Sequence, residues 1–500
     1  MPGRAVWLST LLLAWAAPAA AQLISIRTVP ISQDHQFDLF PSLRMAMGGA
    51  SIALGDSLLD PFMNPAKGAR LRAARFFGSP GIYGVSSHAG AGRTLPLGAL
   101  VKSGDWFGGM AVAAQQVDMS QTTPFFPPGP FLLCAACAGQ RIDVGPNPRS
   151  HGNAYAFAMA GREFRDAGLS IGGSVSWAGL HAIDGVDLLY PASARINQHG
   201  HALDLRLGAT KQWAGNRSLS ALVLHNRFGT THDVLYLDQF WDPGSQQFGQ
   251  RPRSVENLDQ TNTWGLHLEY QQPLRAPGWR MGWIATTNLM SHPKIPNYEI
   301  QNIPRDPGNS EAFNFGVGIS KIDQASTFGI DLVYEPIWSY TWADAATPVD
   351  RTAGGTIAVG GKTIENRFRF HNAMLRMGFG QDVELSQPTK ALGLQVGLMV
   401  HTINYSLAQR DNVQGTSRSL DEGWVEWTPT WGLSLRFPAW ELRYRGSVTN
   451  GTGRPGVSSG DVSVASPQAS GNILVAPSGP LTLAPVRVMT HQVSVSFPIR

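Results

Sequence analysis

This 500-residue chain has little charge: Asp, Glu, Lys and Arg together make up only 15% of its residues. A soluble domain typically carries about 25%, so this surface has less charge than contact with water on all sides requires. The net charge of +4 is small for such a length and argues against a nucleic-acid partner. Glycine (55 residues) and tryptophan (15) are abundant, and the composition fits a transmembrane β-barrel, in which one face of each strand is apolar. A large soluble β-protein such as a propeller also fits it.

Long apolar runs are also missing. After the N-terminal region, no stretch approaches the roughly 18 uninterrupted apolar residues that a membrane-spanning helix needs. The N-terminal region combines Arg4, an apolar run from Val6 to Trp15 and three alanines at 19–21. The run is too short to cross about 30 Å of hydrocarbon as a helix. We therefore predict a cleaved signal peptide over residues 1–21, rather than a membrane anchor, and an exported protein.

Catalytic and metal-binding motifs are scarce. The 13 histidines are scattered without a metal-type spacing, and no complete phosphate-binding Gly-x4-Gly-Lys-Ser/Thr loop occurs. We expect no enzyme activity, no cofactor and no metal site. The only two cysteines, Cys134 and Cys137, have a spacing that suits a redox centre, half a metal site or a local disulfide. Further metal ligands and a βαβ unit are missing nearby, so a disulfide is favoured in an exported protein.

Most of the chain alternates between apolar and polar residues, as strands with one apolar face do. Clear segments lie at 203–207, 264–270, 328–335, 392–401, 431–437 and 493–499. The segment 391–401 is about as long as a tilted strand needs to cross a bilayer, and aromatic residues at several segment ends suit interfacial girdles. The polar residues of the strands are predicted to line a lumen: Asp204, Arg206, His267, Glu269, Asp331, Arg436 and Arg443.

Short breaks alternate with long polar connections along the chain. The breaks lie near 104, 166, 215, 276, 323 and 438, and the long connections span 120–150, 183–199, 230–260, 291–311, 343–362, 408–423 and 450–485. Outer-membrane barrels have short periplasmic turns and long extracellular loops around an even number of antiparallel strands. The pattern predicts about sixteen strands between Arg75 and Phe497, and a soluble propeller is not expected to alternate so regularly.

A glycine-rich, turn-forming segment precedes the strands. It contains Gly48 and Gly49, an acidic residue at Asp56, and Asn64-Pro65-Ala66. Glycine permits backbone conformations closed to other residues and a close approach to a wall, and Asn followed by Pro favours a rigid turn. We predict that residues 22–73 plug a barrel formed by residues 74–500. An ordinary N-terminal loop is the alternative.

Residues 43–50 (LRMAMGGA), followed by Asp56 and Asn64-Pro65-Ala66, resemble the opening of a known family. This is the FadL family of outer-membrane transporters for long-chain fatty acids and other hydrophobic compounds; related PorV-like barrels of a secretion system share it. The resemblance implies an all-β, antiparallel transmembrane barrel of fourteen strands, fewer than the pattern gives, with an N-terminal hatch in its lumen. Residues 60–63 depart from the family motif, which leaves the ligand open.

The first long connection is unusually apolar. Its aromatic and aliphatic residues lie among prolines and are Phe125, Phe126, Phe131, Leu132 and Leu133. An exposed apolar patch usually marks a contact with a ligand, a protein or a membrane. Because members of the resembled family capture hydrophobic ligands through protruding loops, we predict a ligand-capture loop here. Inward packing at the barrel mouth is the alternative.

The apolar residues change face within 366–379. Phe368 and Phe370 share one parity, whereas Leu375, Met377 and Phe379 share the other. One extra residue in a strand flips its faces, so we predict a β-bulge near residues 371–373.

Together these features predict an outer-membrane channel for passive uptake of hydrophobic compounds such as long-chain fatty acids. Its partners would be the hydrophobic small molecule and outer-membrane lipids, and it would reach a Gram-negative outer membrane by means of its signal peptide. The alternative is a PorV-like barrel that acts as a docking or structural component of protein secretion, with a secretion-system protein as its partner.

Overall fold

The computed structural model describes residues 23–28, 35–119, 150–186, 193–292, 307–385, 391–455 and 483–499. The predicted signal peptide at 1–21 lies outside these residues. No helix among the described residues is long and apolar enough to cross a membrane.

The described residues form mostly strands. The short helical elements are α1 (Asp60–Met63) and three 3-10 turns (His35–Phe37, Pro65–Arg70, Arg165–Ala167). The strands are β1 (Ala74–Gly78), β2 (Gly81–Val85), β3 (Ala91–Ser103), β4 (Trp106–Asp118), β5 (Ser150–Phe164), β6 (Leu169–Leu180), β7 (Ser193–Trp213), β8 (Arg217–Asp242), β9 (Gln247–Pro273), β10 (Trp279–His292), β11 (Gly308–Ile322), β12 (Ser326–Asp344), β13 (Val349–Asp350), β14 (Thr356–Ile357), β15 (Lys362–Glu384), β16 (Ala391–Asp411), β17 (Thr416–Arg436), β18 (Glu441–Pro455) and β19 (Leu483–Ile499).

One sheet closes on itself into an antiparallel barrel. It contains all strands except β13 and β14, which form a separate hairpin between β12 and β15. Strands β1 and β2 both pair with β3 and β19 in one continuous register and are interrupted only at Ser79-Pro80. They therefore occupy one strand position, so the 17 segments form a barrel of sixteen strands. This is the number that the strand pattern predicts, rather than the fourteen that the resemblance implies.

The two faces of the wall have the reverse of the usual polarity of a soluble protein. Large apolar side chains point outward and are exposed, for example Met110 (68%) and Leu207 (61%). Polar side chains point inward and are buried, for example Asn288 and Asp331. Such a surface is stable where the outside is lipid and the inside is polar. The barrel is therefore of the transmembrane type.

The outer apolar band has the height of a bilayer core. On β17 the outward residues are apolar from Leu435 up to Val425 and polar from Gly423 onward. At about 3.4 Å per residue and a tilt of about 45°, the ten steps between Val425 and Leu435 rise about 24 Å, close to the ~25 Å band of outer-membrane barrels.

All six predicted short breaks join adjacent strands. A seventh short connection at the same end of the barrel, at 385–390, was not predicted, and neither were short connections at the other end, at 86–90, 243–246 and 412–415. Two predicted long loops are wrong, because residues 230–260 are mostly the ends of β8 and β9, and residues 408–423 are mostly the ends of β16 and β17. Polar and apolar residues are mixed on both faces of these strand ends, with Val234 and Tyr236 buried inside and Leu235 and Leu237 outside, so apolar–polar alternation fades although the ladder continues. We call this end of the barrel the long-loop end, and the other the short-turn end.

The bulge predicted near residues 371–373 is wrong. The pairing of β15 with β12 runs through these residues without a register shift. Leu375, Met377 and Phe379 face outward within the apolar band, whereas Phe368 and Phe370 lie beyond it and face inward, where they are buried. On β15 the change of face therefore marks the upper edge of the apolar band, above which the inward Phe368 and Phe370 are apolar and the outward Arg367 and Arg369 are charged.

Candidate functional site

Residues 35–73, which we call the lumenal segment, lie inside the barrel. They touch inward-facing residues on opposite sides of the wall. Asn64 reaches β8 through a hydrogen bond from its amide to the carbonyl of Ala221 (3.4 Å), whereas the amide of Gly48 donates to the Thr430 hydroxyl on β17 (3.0 Å). A segment in contact with both sides obstructs the lumen.

The carboxylate of Asp56 organises the fold of the lumenal segment. One oxygen accepts hydrogen bonds from the amides of Leu58 (2.9 Å) and Leu59 (3.0 Å). The other accepts from the Ser42 hydroxyl (2.6 Å) and the Leu43 amide (2.7 Å). Because backbone groups in an irregular segment lack ladder partners, a single buried carboxylate can fold two stretches of chain against each other.

Asn64, Pro65 and Ala66 form a rigid turn against the wall. The Asn64 side chain caps the 3-10 turn by accepting from the Ala66 amide (3.1 Å), and Pro65 supplies the fixed φ of the next position. The wall offers glycine at both contact points. A Cβ on Gly208 would lie 1.9 Å from the Asn64 side-chain oxygen, and one on Gly172 would lie 2.8 Å from the Pro65 carbonyl carbon.

Gly48 and Gly49 form a second point of close approach. Both have positive φ, +62° and +80°, a region that favours glycine. A Cβ on Gly48 would lie 2.4 Å from the Met377 carbonyl oxygen, and one on Gly397 would lie 2.1 Å from the Gly48 nitrogen. The two backbones therefore touch without intervening side chains.

A buried ion pair ties the lumenal segment to β9. The Lys67 ammonium lies 2.7 Å from Glu269 and 4.0 Å from Asp60, and the Lys67 and Glu269 side chains are 7% and 10% exposed. Arg70 approaches Asp60 at 3.8 Å. Burial is the largest influence on Asp60 and raises the pKa of its carboxyl above the usual value, with the nearby cations opposing this shift.

Asp331 on β12 provides a further anchor. Its carboxylate accepts hydrogen bonds from the amides of Ser51 (2.6 Å) and Ile52 (3.0 Å). Asp331, Glu269, Asp204, Arg206, His267 and Arg443 are all buried on the lumenal side, as the alternation predicts. Arg436 lies instead at the short-turn end, is exposed, and pairs with Asp382 (2.6 Å).

A cavity of about 440 Å³ lies between the lumenal segment and the wall. Its apolar lining includes Phe40, Phe62 and Phe157, which belong to one aromatic cluster with ring centroids 4.0 to 5.6 Å apart. Its charged lining includes Arg206 and Glu269. The cavity therefore combines an apolar surface with ionic groups.

Residues 23–28 occupy the lumen near the long-loop end. Ile24 is buried with Phe368, Phe370 and other inward apolar residues of the upper wall. Its amide donates to the Asn288 side chain (2.8 Å), and Arg27 pairs with Glu426 on β17 at 2.7 Å. This stretch is held against the upper wall by apolar contacts and one ion pair.

Several predicted site residues lie outside the described residues. These are the ligand-capture loop residues Phe125, Phe126, Phe131, Leu132 and Leu133, and the pair Cys134 and Cys137. Among the described residues, no group of three or more His, Cys, Asp or Glu side chains could hold a metal ion.

The glycines of the wall that contact the lumenal segment were not among the predicted site residues. In the sequence Gly172 is one of two consecutive glycines with no distinguishing feature, yet it lies directly against the Pro65 backbone. Gly378 and Gly397 likewise lie against Met47 and Gly48. Each faces the lumen at a position where a side chain would collide with the lumenal segment. Only their inward parity distinguishes them in the sequence.

No protein-family model and no curated protein matches this sequence. Among solved structures, it is similar to a Pseudomonas aeruginosa FadL homologue: 11% identity, covering 92% of this chain and 99% of that one, TM-score 0.43. It is similar to the Pseudomonas putida toluene transporter TodX at 10% identity, covering 91% and 97%, TM-score 0.37. It is also similar to CdiB from Acinetobacter baumannii at 8% identity, covering 85% and 60%, TM-score 0.38. The resemblance to FadL-type barrels is one of fold. At such identities the roles of residues do not transfer between chains.

Proposed function

We propose that this protein is an outer-membrane channel for passive uptake of hydrophobic compounds such as long-chain fatty acids, and that the lumenal segment is its hatch. The observation that carries the proposal is the cavity between the lumenal segment and the wall, because an aromatic cluster forms part of its lining. A polar channel for ions or sugars has no need of such a surface. The resemblance of residues 43–66 to the FadL family supports the same class of ligand.

The size and chemistry of the cavity suit a small hydrophobic molecule. Its volume of about 440 Å³ falls within the roughly 300–1,000 Å³ of small-molecule sites. Burial of an alkyl chain contributes about 0.8 kcal/mol per CH₂, so capture requires no energy source. The predicted loop residues Phe125, Phe126 and Phe131 would collect the ligand before it reaches the cavity, with Cys134 and Cys137 as a disulfide that fixes this loop.

Passage requires the hatch to shift, since it contacts opposite sides of the wall. Its polar anchors include the Lys67–Glu269 ion pair, the bonds from Ser51 and Ile52 to Asp331, and the bonds to Ala221 and Thr430. Contacts of this kind can exchange for water in a polar lumen at modest cost. The aromatic cluster would hold the ligand until the hatch opens.

Native mass spectrometry of the detergent-purified protein incubated with oleate tests this function. Ala202 lines the cavity from β7, so Ala202→Phe fills it, whereas Ala158→Phe adds the same side chain to the outward, exposed face of β5. We expect oleate on the wild type and on Ala158→Phe and its loss from Ala202→Phe. Equal binding by all three contradicts the assignment of the cavity. An empty barrel that co-purifies with a secretion protein supports the docking role instead.

A further inference from the structure

The outer wall carries a cluster of basic and aromatic side chains just above the apolar band. Trp338, Tyr340 and Trp342 project from β12, and Lys362, Arg367 and Arg369 project from β15. We call these six residues the basic–aromatic surface. It lies on the outside of the barrel at the long-loop end, so it has no part in the lumen.

Strand register places the arginines directly beside the aromatic residues. Arg369 pairs across the ladder with Trp338, and Arg367 pairs with Tyr340. The guanidinium of Arg367 lies 5.6 Å from the Tyr340 ring centroid, and the Lys362 ammonium lies 4.2 Å from the Trp342 ring. Directly paired residues share a face about 5 Å apart, so the surface is continuous.

The height of this surface matches lipid headgroups. Ala373 lies beside Tyr334 and Thr402, at the upper edge of the apolar band. Arg369 lies four residues further along β15, which is about 13 Å along the strand and about 9 Å along the membrane normal at a tilt of about 45°. Trp338 is 45% exposed at the same level, where aromatic girdles meet the headgroups.

The two arginines have no hydrogen-bond partner in the described part of the chain, although Arg367 lies near the Tyr340 ring and the Glu365 carboxylate. Both are exposed, and neither makes a hydrogen bond or an ion pair with any described residue. One acidic residue, Glu365, shares this face: it pairs across the ladder with Trp342 and accepts a hydrogen bond from the Tyr340 hydroxyl. The three cations of the surface outnumber it. The next acidic groups in the ladder are Glu311 and Asp421, each two strands away from Arg369. The row of Arg367 contains only Asn309, Tyr340, Ala408 and Ser419.

We propose that the basic–aromatic surface binds the phosphate groups of phosphorylated glycolipids in the outer leaflet. Guanidinium groups bind phosphate through paired, charge-assisted hydrogen bonds. Two arginines at i and i+2 on one face stand about 7 Å apart, which allows them to hold one phosphate between them or two adjacent phosphates. The long-loop end faces the outer leaflet in barrels with short periplasmic turns. This inference concerns the outer wall and does not depend on what passes through the lumen.

A binding experiment with defined lipids tests the site. Purified protein is titrated with deep-rough lipopolysaccharide, with the same lipid after enzymatic removal of its phosphates, and with phosphatidylglycerol, and the bound fraction is measured by native mass spectrometry. We expect Arg367→Gln and Arg369→Gln each to weaken lipopolysaccharide binding about tenfold, since each removes a hydrogen bond from a charged donor. Arg369→Lys, which retains the charge but not the paired donors of the guanidinium, should weaken lipopolysaccharide binding less.

A basic–aromatic group at the opposite membrane interface provides the matched control. Arg162 lies at the short-turn end, with its guanidinium 5.4 Å from the Trp106 ring and 5.3 Å from the Phe164 ring. Arg162→Gln should leave binding unchanged, and heat-modifiable mobility on gels confirms that each variant is folded. The proposal is overturned if the Arg367 and Arg369 variants bind as the wild type does, or if Arg162→Gln loses as much. It is equally overturned if dephosphorylated lipid or phosphatidylglycerol binds as tightly as lipopolysaccharide.

Discussion

Gly172 and Gly173 offer a direct test of how the lumenal segment is held. They are consecutive on β6, and they face opposite sides of the wall. A Cβ on Gly172 would lie 2.8, 2.9 and 3.0 Å from three backbone atoms of Pro65 and Ala66. A Cβ on Gly173 would meet nothing closer than the Arg206 carbonyl oxygen at 3.7 Å, an ordinary contact.

Gly172→Ala should therefore loosen the lumenal segment while leaving the barrel intact. Backbone atoms cannot rotate away as a side chain can, so the segment must move by several tenths of an ångström. Overpacking of this kind costs about 1–3 kcal/mol. At about 1.4 kcal/mol per factor of ten, that cost lowers the ratio of seated to released segment by roughly 5- to 150-fold.

The assay is hydrogen exchange of residues 36–72, with the wall strands as an internal reference. In Gly172→Ala the segment should exchange faster by about that factor, while β8 and β9 remain protected. Gly173→Ala should match the wild type in both regions. If the two variants behave alike, or if the wall loses protection together with the segment, the close approach at Gly172 does not hold the segment in place.

Three further changes probe the same segment by the same exchange measurement. Lys67→Met leaves the Glu269 carboxylate buried without its partner and should destabilise the seated segment by about 3–5 kcal/mol. Adding Glu269→Gln should restore most of this loss. A double variant that recovers no protection contradicts the prediction. Asp56→Ala removes the acceptor of several buried amides and should cost at least about 3 kcal/mol, so protection equal to wild type is the opposing result. Burial raises the pKa of Asp60 from its ordinary value of 3.8, with Asp56 and Glu269 adding to the shift and Lys67 and Arg70 opposing it. The stabilisation from the Asp60 carboxyl is therefore complete below about pH 3.8 and is lost as the pH rises through the raised pKa. Asp60→Asn should remove this pH dependence of the segment's protection. A pH profile in Asp60→Asn identical to that of the wild type refutes the prediction.

The membrane-facing half of the structure is readable in the sequence. Leu394, Val396 and Leu398 alternate with polar or small residues because one face of β16 meets lipid and the other meets the lumen. The same contrast ends where the wall leaves the membrane. Above that level β8 and β9 mix polar and apolar residues on both faces, so residues 230–260 resemble a loop although they are paired strands.

The contacts of the lumenal segment are less readable. Asn64 and Pro65 attract notice because turn-forming residues have local signatures. Their counterparts Gly172 and Gly208 do not, because the reason for glycine there is the close approach of Pro65 and Asn64, which lie more than one hundred residues away in the chain. Long-range complementarity of this kind leaves no periodic signal.

The uptake of radiolabelled oleate by intact Gram-negative cells tests the central claim most directly. The cells lack their own fatty-acid channel and produce the wild type, Ala202→Phe or Ala158→Phe in equal amounts in the outer membrane. We expect saturable uptake by the wild type and by Ala158→Phe, and only background uptake by Ala202→Phe. Background uptake by the wild type, with the folded barrel present in the outer membrane, would contradict it.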